Sequence, residues 1–414
     1  MSMHAVFGPR GRARRYVATA LGAGVVLALG AFAPVAAQAA DLLPGSAGAA
    51  PASGTQLVTA GNSTSPWKIQ KTPKPHGSAL SDVSCVSATS CVAVGNYENS
   101  VGNDLTLAEV WNGATWKIQK TPNPAGATSS ILSGVSCTSA ASRTTCTAVG
   151  EYWNTSRELT LAEVWNGATW KIEKTPSPAG STASAFNSVS CKVASRCTAV
   201  GWYQNTYMFV LAEVWNGTTW KIQKTPTPTV SGESGGSLSS VSCGSASACA
   251  AVGYSGVLNT SFSEVWDGST WTIRHIPNPQ KIGASSLYSV SCTSPTSCTA
   301  VGFFLHSSFV DTTLAEVWNG ARWKIQATPN PPRRVIRQLL GVSCIPGACT
   351  AIGYSETASP WATLAEVWNG STWKLQKIPN QTNQIDKLTG VSCTSAPACT
   401  AVGSSVTGAF AEAK

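Results

Sequence analysis

The chain has 414 residues, enough for a large core or several domains, and a net charge of +9. Only 11% of its residues are charged, and Ser, Thr, Gly and Ala take up the surface positions instead. An excess this modest and this dispersed does not point to nucleic acid.

At the N-terminus, Arg10, Arg12, Arg14 and Arg15 precede an apolar run from Tyr16 to Phe32, and Ala37-Gln38-Ala39 offers a small-x-small cleavage site. Residues 1–39 therefore read as a signal peptide. An uncleaved anchor is the alternative, since the 17-residue run is near the lower limit for a span. No acidic residue precedes Asp41, so removal of the four arginines leaves +5. No other apolar run is long enough to cross a membrane. Residues 40–65, rich in Ala, Gly, Ser and Thr without periodicity, read as a flexible leader.

From residue 66 to 414 the chain repeats. The stretch LAEVWNGATWKIQKTPNP (107–124) returns at 161–178, 211–228, 314–331 and 364–380, and more loosely at 262–279. Between copies runs a piece of the type SVSCTSxxxCTAVG. First cysteines recur every 49–54 residues, a period that marks a propeller or a solenoid. Each unit carries four strand signals. In the first complete unit these are SDVSC (81–85), CVAVGNY (91–97), LTLAEVW (105–111) and WKIQK (116–120). Asn112-Gly113 marks a hairpin between the last two, because both residues tolerate positive φ. The loop there could have two residues or four. The TPxP segment ends the fourth strand, since proline cannot donate to a ladder.

The chain ends complement each other. The last unit stops after a short third strand (AFAEAK), and the missing fourth strand is PWKIQKTP at 66–73. Pairing them closes a ring and removes an exposed edge. The expected fold is all-β: a seven-bladed β-propeller of four-stranded blades, the ring closed by the N-terminal strand 66–73 joining the last blade.

Fourteen cysteines fall into seven local pairs: Cys85–Cys91, Cys137–Cys146, Cys191–Cys197, Cys243–Cys249, Cys292–Cys298, Cys344–Cys349 and Cys393–Cys399. Behind a signal peptide they read as disulfides of an oxidising compartment rather than as metal ligands. Each would staple the first hairpin of its blade, worth roughly 2 kcal/mol for a loop this short. Thirteen of the sixteen tryptophans occupy repeated positions. They are expected in the core, packed between neighbouring blades against the small Ala/Val face of the next.

The units SCxSxxxCxAVG and WNGxxWxxxxxPxP resemble those of secreted bacterial repeat proteins common in actinobacteria. The resemblance covers 66–414 and carries no activity with it. Asp267-Gly268-Ser269-Thr270-Trp271 is weakly similar to the Asp-box hairpin of sialidase-type propellers, without the residue between Asp and Gly.

With this strand order, the disulfide loops and Asn-Gly turns lie on one face of the ring. The connections that vary between blades lie on the other, where a rigid scaffold presents function. Three tryptophans outside the repeat, Trp153, Trp202 and Trp361, fall in those connections, near Tyr207, Phe209, Phe262, Phe303, His306 and Phe309. Exposed rings beside Asn, Ser and Thr suit a glycan or an extracellular protein partner. Tyr97, Tyr152, Tyr203 and Tyr354 follow the recurring AVG or AIG and read as structural. Arg333, Arg334 and Arg337 form a basic cluster that an acidic glycan or phosphate would fit, or that a solvated loop would carry.

Catalysis finds little footing. Seven of the 19 acids sit at the repeated AE position (Glu109, Glu163, Glu213, Glu264, Glu316, Glu366 and Glu412) and read as structural acceptors. Asp104, Glu151, Glu158, Asp311 and Glu356 remain as loop candidates without a pairing motif. Glycoside hydrolysis needs two converging carboxylates, and no P-loop, dinucleotide or calcium motif occurs. The sequence therefore reads as a secreted, monomeric, non-catalytic binding or scaffold propeller, extracellular or wall-associated, with no metal and no cofactor expected. A polysaccharide hydrolase or lyase and a purely structural envelope protein are the alternatives.

Overall fold

The computed structural model describes residues 66–140, 143–279, 283–306, 310–331, 336–356, 361–382 and 385–414. The expected signal and leader, and Arg333, Arg334 and Phe309, lie outside them. Every element assigned among the described residues is a strand.

Blade 1 shows the plan. Ala79–Ser87, Ser90–Glu98, Asp104–Trp111 and Trp116–Gln119 form an antiparallel sheet in chain order. The same unit returns in blades 2 (129–172), 3 (183–223), 4 (237–274), 5 (285–326) and 6 (336–375). Blade 7 takes three strands from 386–413 and its fourth from Lys68–Gln70, where Ile69 pairs with Glu412. The predicted closure is thus made by strand pairing.

The ring is held by seven equivalent interfaces. Each is a hydrophobic cluster that combines one blade's Val/Ala face with the next blade's Leu, Cys and Trp face. Val94 and Ala108 of blade 1, for example, meet Leu161, Trp165 and Trp170 of blade 2. The last interface joins Val402 and Ala411 of blade 7 to Trp116 of blade 1. The tryptophans are core, as predicted, but the Ala/Val face they cover belongs to the preceding blade and not to the next, because the second tryptophan's side of each sheet is turned back along the ring. A ring of hydrogen bonds runs parallel to these clusters. The serine before the first cysteine of each blade accepts from the cysteine N–H of the following blade, beginning with Ser84 and Cys137 and closing with Ser392 and Cys85, at 2.9–3.0 Å throughout.

Local rules explain the rest of the repeat. The Asn-Gly loop has four residues: Asn112 Oδ1 accepts from Ala114 N and Thr115 N, and Gly113 takes φ +92°. That length sets Trp111 directly opposite Trp116, with ring centroids 5.7 Å apart. Lys414 takes the first tryptophan's place in blade 7, its Nζ 5.1 Å from the Trp67 ring centroid. A bulge in each first strand drives its backbone against the glycine of AVG; a Cβ on Gly201 would lie 2.0 Å from the Ala185 carbonyl oxygen. All seven predicted disulfides are formed, each across its hairpin. They indicate an oxidising environment.

The repeated glutamates are buried, as structural residues should be, but most are not acceptors. Neither carboxyl oxygen of Glu109, Glu163, Glu213, Glu316 or Glu412 has a hydrogen-bond partner, whereas Glu264 accepts from Thr225. Burial pushes the Glu163 carboxyl up to about 8 and that of Glu316 to about 9. At neutral pH each interface therefore encloses an uncharged carboxylic acid.

Candidate functional site

The antiparallel order puts the connections between second and third strands on the face opposite the disulfides. There the repeat ceases to be uniform. Directly after the AVG or AIG glycine comes one variable residue per blade: Asn96, Glu151, Trp202, Tyr254, Phe303, Tyr354 and Ser404. Its side chain leaves the sheet on the same side as the preceding Val or Ile, because strand residues alternate. The position is aromatic in four successive blades, 3 to 6, and polar in the other three.

The centre of this arc is a connected group. Tyr354 stacks on Trp361 with centroids 4.8 Å apart and planes 10° apart. Its hydroxyl donates to Gln338 Oε1 at 3.1 Å, and Gln338 Nε2 donates to Asp311 Oδ2 at 2.6 Å. That relay crosses from blade 6 to blade 5. Tyr288 stacks on Phe303 at 5.8 Å. Burial first, then Tyr354 and Asp311, push the Tyr288 phenol above its ordinary range. Burial and Asp311 do the same for Tyr354. Both phenols thus stay protonated and able to donate. Tyr254 of blade 4 completes the group, donating to Asn259 Oδ1 at 2.8 Å.

Of the predicted residues, the structure brings Phe303 and Trp361 into this group. Trp202 occupies the arc position in blade 3. Trp153 ends the second strand of blade 2, where its carbonyl accepts from Thr128 N at 2.7 Å. Tyr207 is 39% exposed in the blade 3 connection. His306 follows the second strand of blade 5, its N–H donating to the Val310 carbonyl. Arg337 turns back onto its own loop, Nε donating to the Pro331 carbonyl at 2.9 Å. Phe262 is core. Tyr97, Tyr152 and Tyr203 pack on interface clusters as predicted. Tyr354 does not share their position: it follows the glycine one residue earlier and faces the other side. Sequence reading missed Tyr254, Tyr288 and Gln338. For Tyr254 the signal available was variation at the position after the repeated glycine; Tyr288 and Gln338 lie instead in the first strands of their blades.

The loop acids also find partners that no motif announces. Asn96 Nδ2 donates to Asp104 Oδ1 at 2.5 Å. Burial, and secondarily the charge of Glu158, push Glu151 up to about 8. Two hollows, of 250 and 580 Å³, lie elsewhere, lined largely by repeat residues such as Trp368 and Lys414 in one and Trp111 and Trp116 in the other. They are notches of the scaffold, not of the variable face.

These features define a disulfide-stapled β-propeller with one aromatic, hydrogen-bonding arc. No known family matches the chain, and no curated protein does. Among solved structures it is similar to YCF48 bound to a D1 peptide, at 13% identity and a TM-score of 0.50, over 85% of this chain and 96% of that one. YCF48 from Cyanidioschyzon merolae follows at 12% identity and 0.49, over 84% and 98%. An Aleuria aurantia lectin in complex with alpha-methyl-L-fucoside matches at 10% identity and 0.45, over 74% and 96%. The likeness to the first is one of fold.

Proposed function

We propose that this chain is a secreted, non-catalytic, monomeric binding propeller that recognises a glycan along the arc from Trp202 through Tyr254 and Phe303 to Trp361. The observation that carries this reading is the Tyr354–Gln338–Asp311 relay set between two aromatic stacks. Aromatic rings offer flat apolar area for sugar C–H faces, and the amide, carboxylate and phenols can pair with ring hydroxyls. Secretion and wall association fit the disulfides, and a closed ring with lysine-bearing outer edges fits a monomer.

The test is a glycan array on the oxidised protein, with a reducing-end assay on every hit. Binding without cleavage, weakened at least about tenfold by Trp361→Ala and by Asp311→Asn, is the expected outcome. Cleavage that Glu151→Gln abolishes would overturn the non-catalytic reading. Capture of an extended peptide and no glycan would replace the ligand class; the YCF48 structure with its peptide is a fold-level precedent for that occupant.

A further inference from the structure

Outside the arc, among the described residues, cations gather along the outer edge of the ring. The fourth strand pairs only with the third in every blade, so no strand covers its outer side. Along it and just past its end the sequence repeats Trp-Lys-Ile-Gln-Lys, with cations one and four residues after the tryptophan. Lys117 and Lys120, Lys171 and Lys174, and Lys221 and Lys224 are all exposed. Blades 6 and 7 keep both cations, blade 5 keeps the first, and blade 4 has an arginine between the two positions. Twelve of the 24 cations from residue 66 onward thus lie on this belt, and the single acid among them is Glu173, 3.1 Å from Lys171. The cations are dispersed in sequence, but the fold gathers them.

Composition also understates the field they make. From residue 66 onward there are 18 acids, and seven of these are the glutamates sealed inside the interfaces, which leaves 24 cations against 11 acids. Between the lysines stand half-exposed aliphatic side chains, Ile118 at 47% and Ile222 at 44%. One lysine per edge is enough to prevent edge-to-edge pairing. A second cation in five blades, with one acid in all, leaves a repulsion that a bound counter-charge would relieve.

We propose that this belt binds a linear acidic polysaccharide whose carboxylates recur along its chain, independently of the aromatic arc. Eleven of the twelve cations are lysines, point charges suited to many weak contacts rather than planar bidentate ones. The belt carries aliphatic rather than aromatic side chains between its cations, so it offers no platform for stacking nucleobases.

The experiment measures binding of polygalacturonate to the oxidised protein, with neutral dextran and duplex DNA as comparisons. If four carboxylates are contacted, affinity falls about a hundredfold between 50 and 200 mM salt. Lys→Gln at 117, 120, 171, 174, 221 and 224 together is expected to weaken binding at least about tenfold and flatten the salt slope. The two-site variant Lys221→Gln/Lys224→Gln should show a smaller change in the same direction and guards against a folding defect in the larger one. Trp361→Ala, which removes an arc ring, should leave the salt-dependent binding of polygalacturonate in place; its loss in that variant would assign this binding to the arc and overturn the independence of the belt. Absence of binding at 50 mM salt, unchanged binding by the six-site variant, or tighter binding of DNA than of polygalacturonate would overturn the proposal.

Discussion

Glu163→Gln tests the account of the inter-blade acids. Glu163 has no exposed surface, neither oxygen has a hydrogen-bond partner, and burial alone raises its carboxyl from 4.5 to about 8. Between those two values the folded protein keeps a proton that the unfolded chain has released. The stability this residue supports is therefore complete below about pH 4.5 and is lost as pH rises toward 8. Each pH unit in that window costs about 1.4 kcal/mol per glutamate. Glutamine has the shape of the protonated acid and does not titrate. The stability of the variant relative to the parent should therefore climb by about 3 kcal/mol between about pH 5.5 and pH 7.5. Urea unfolding of both proteins, disulfides intact, at four pH values in that range gives the difference directly. A gap that stays constant with pH would sink the reasoning, because the folded carboxyl would then be ionised like the unfolded one.

Three further substitutions probe the scaffold. Gly201→Ala forces a Cβ to 2.0 Å from the Ala185 carbonyl oxygen, so overpacking should lower stability by about 1–3 kcal/mol in a denaturant titration; an unchanged midpoint would mean that the bulge yields freely. Ser136→Ala removes the acceptor for the Cys191 N–H, 2.9 Å away, and should cost about 1–3 kcal/mol, read as a lowered melting temperature. In four blades the second tryptophan donates to a glutamine of the preceding blade, as Trp271 does to Gln223 at 3.0 Å, whereas Trp170, Trp220 and Trp323, with Gln119, Glu173 and Arg274 at that position of the preceding blade, have no acceptor. Arg274→Gln should therefore stabilise by about 1 kcal/mol, with protection of the Trp323 indole N–H from hydrogen exchange as the specific readout.

Repetition made the fold legible before any coordinates. The seven cysteine pairs, the four strand signals and the complementary ends each recur or match, and a ring is the arrangement that uses them all. The turn length was not legible, because Asn-Gly serves loops of two and four residues; the Asn112 side chain, by bonding to Ala114 and Thr115, selects four. The candidate site was half legible. Phe303 and Trp361 stood out as aromatics in irregular connections, whereas Tyr354, beside the repeated glycine, read as structural and Tyr254 did not stand out. Tyr288 occupies a bulge, where the alternation that assigns sides breaks down. The belt of lysines was hidden for the opposite reason: cations about fifty residues apart look dispersed until the fourth strands are seen to share one rim.

The local disulfides also decide how the chain can oxidise. Fourteen thiols could pair in on the order of 100,000 ways. Yet each partner follows five to nine residues behind the first cysteine, while the next unpaired one is more than forty residues further along. A chain made from its N-terminus can therefore seal each hairpin as it forms, before the next cysteine exists. Closure of the ring obeys a different clock. The strand Lys68–Gln70 pairs with Gly408–Ala413, so it must wait until all the blades between them have been made. Every staple can be set in sequence, but the interfaces at the seam form only once the seventh blade is present.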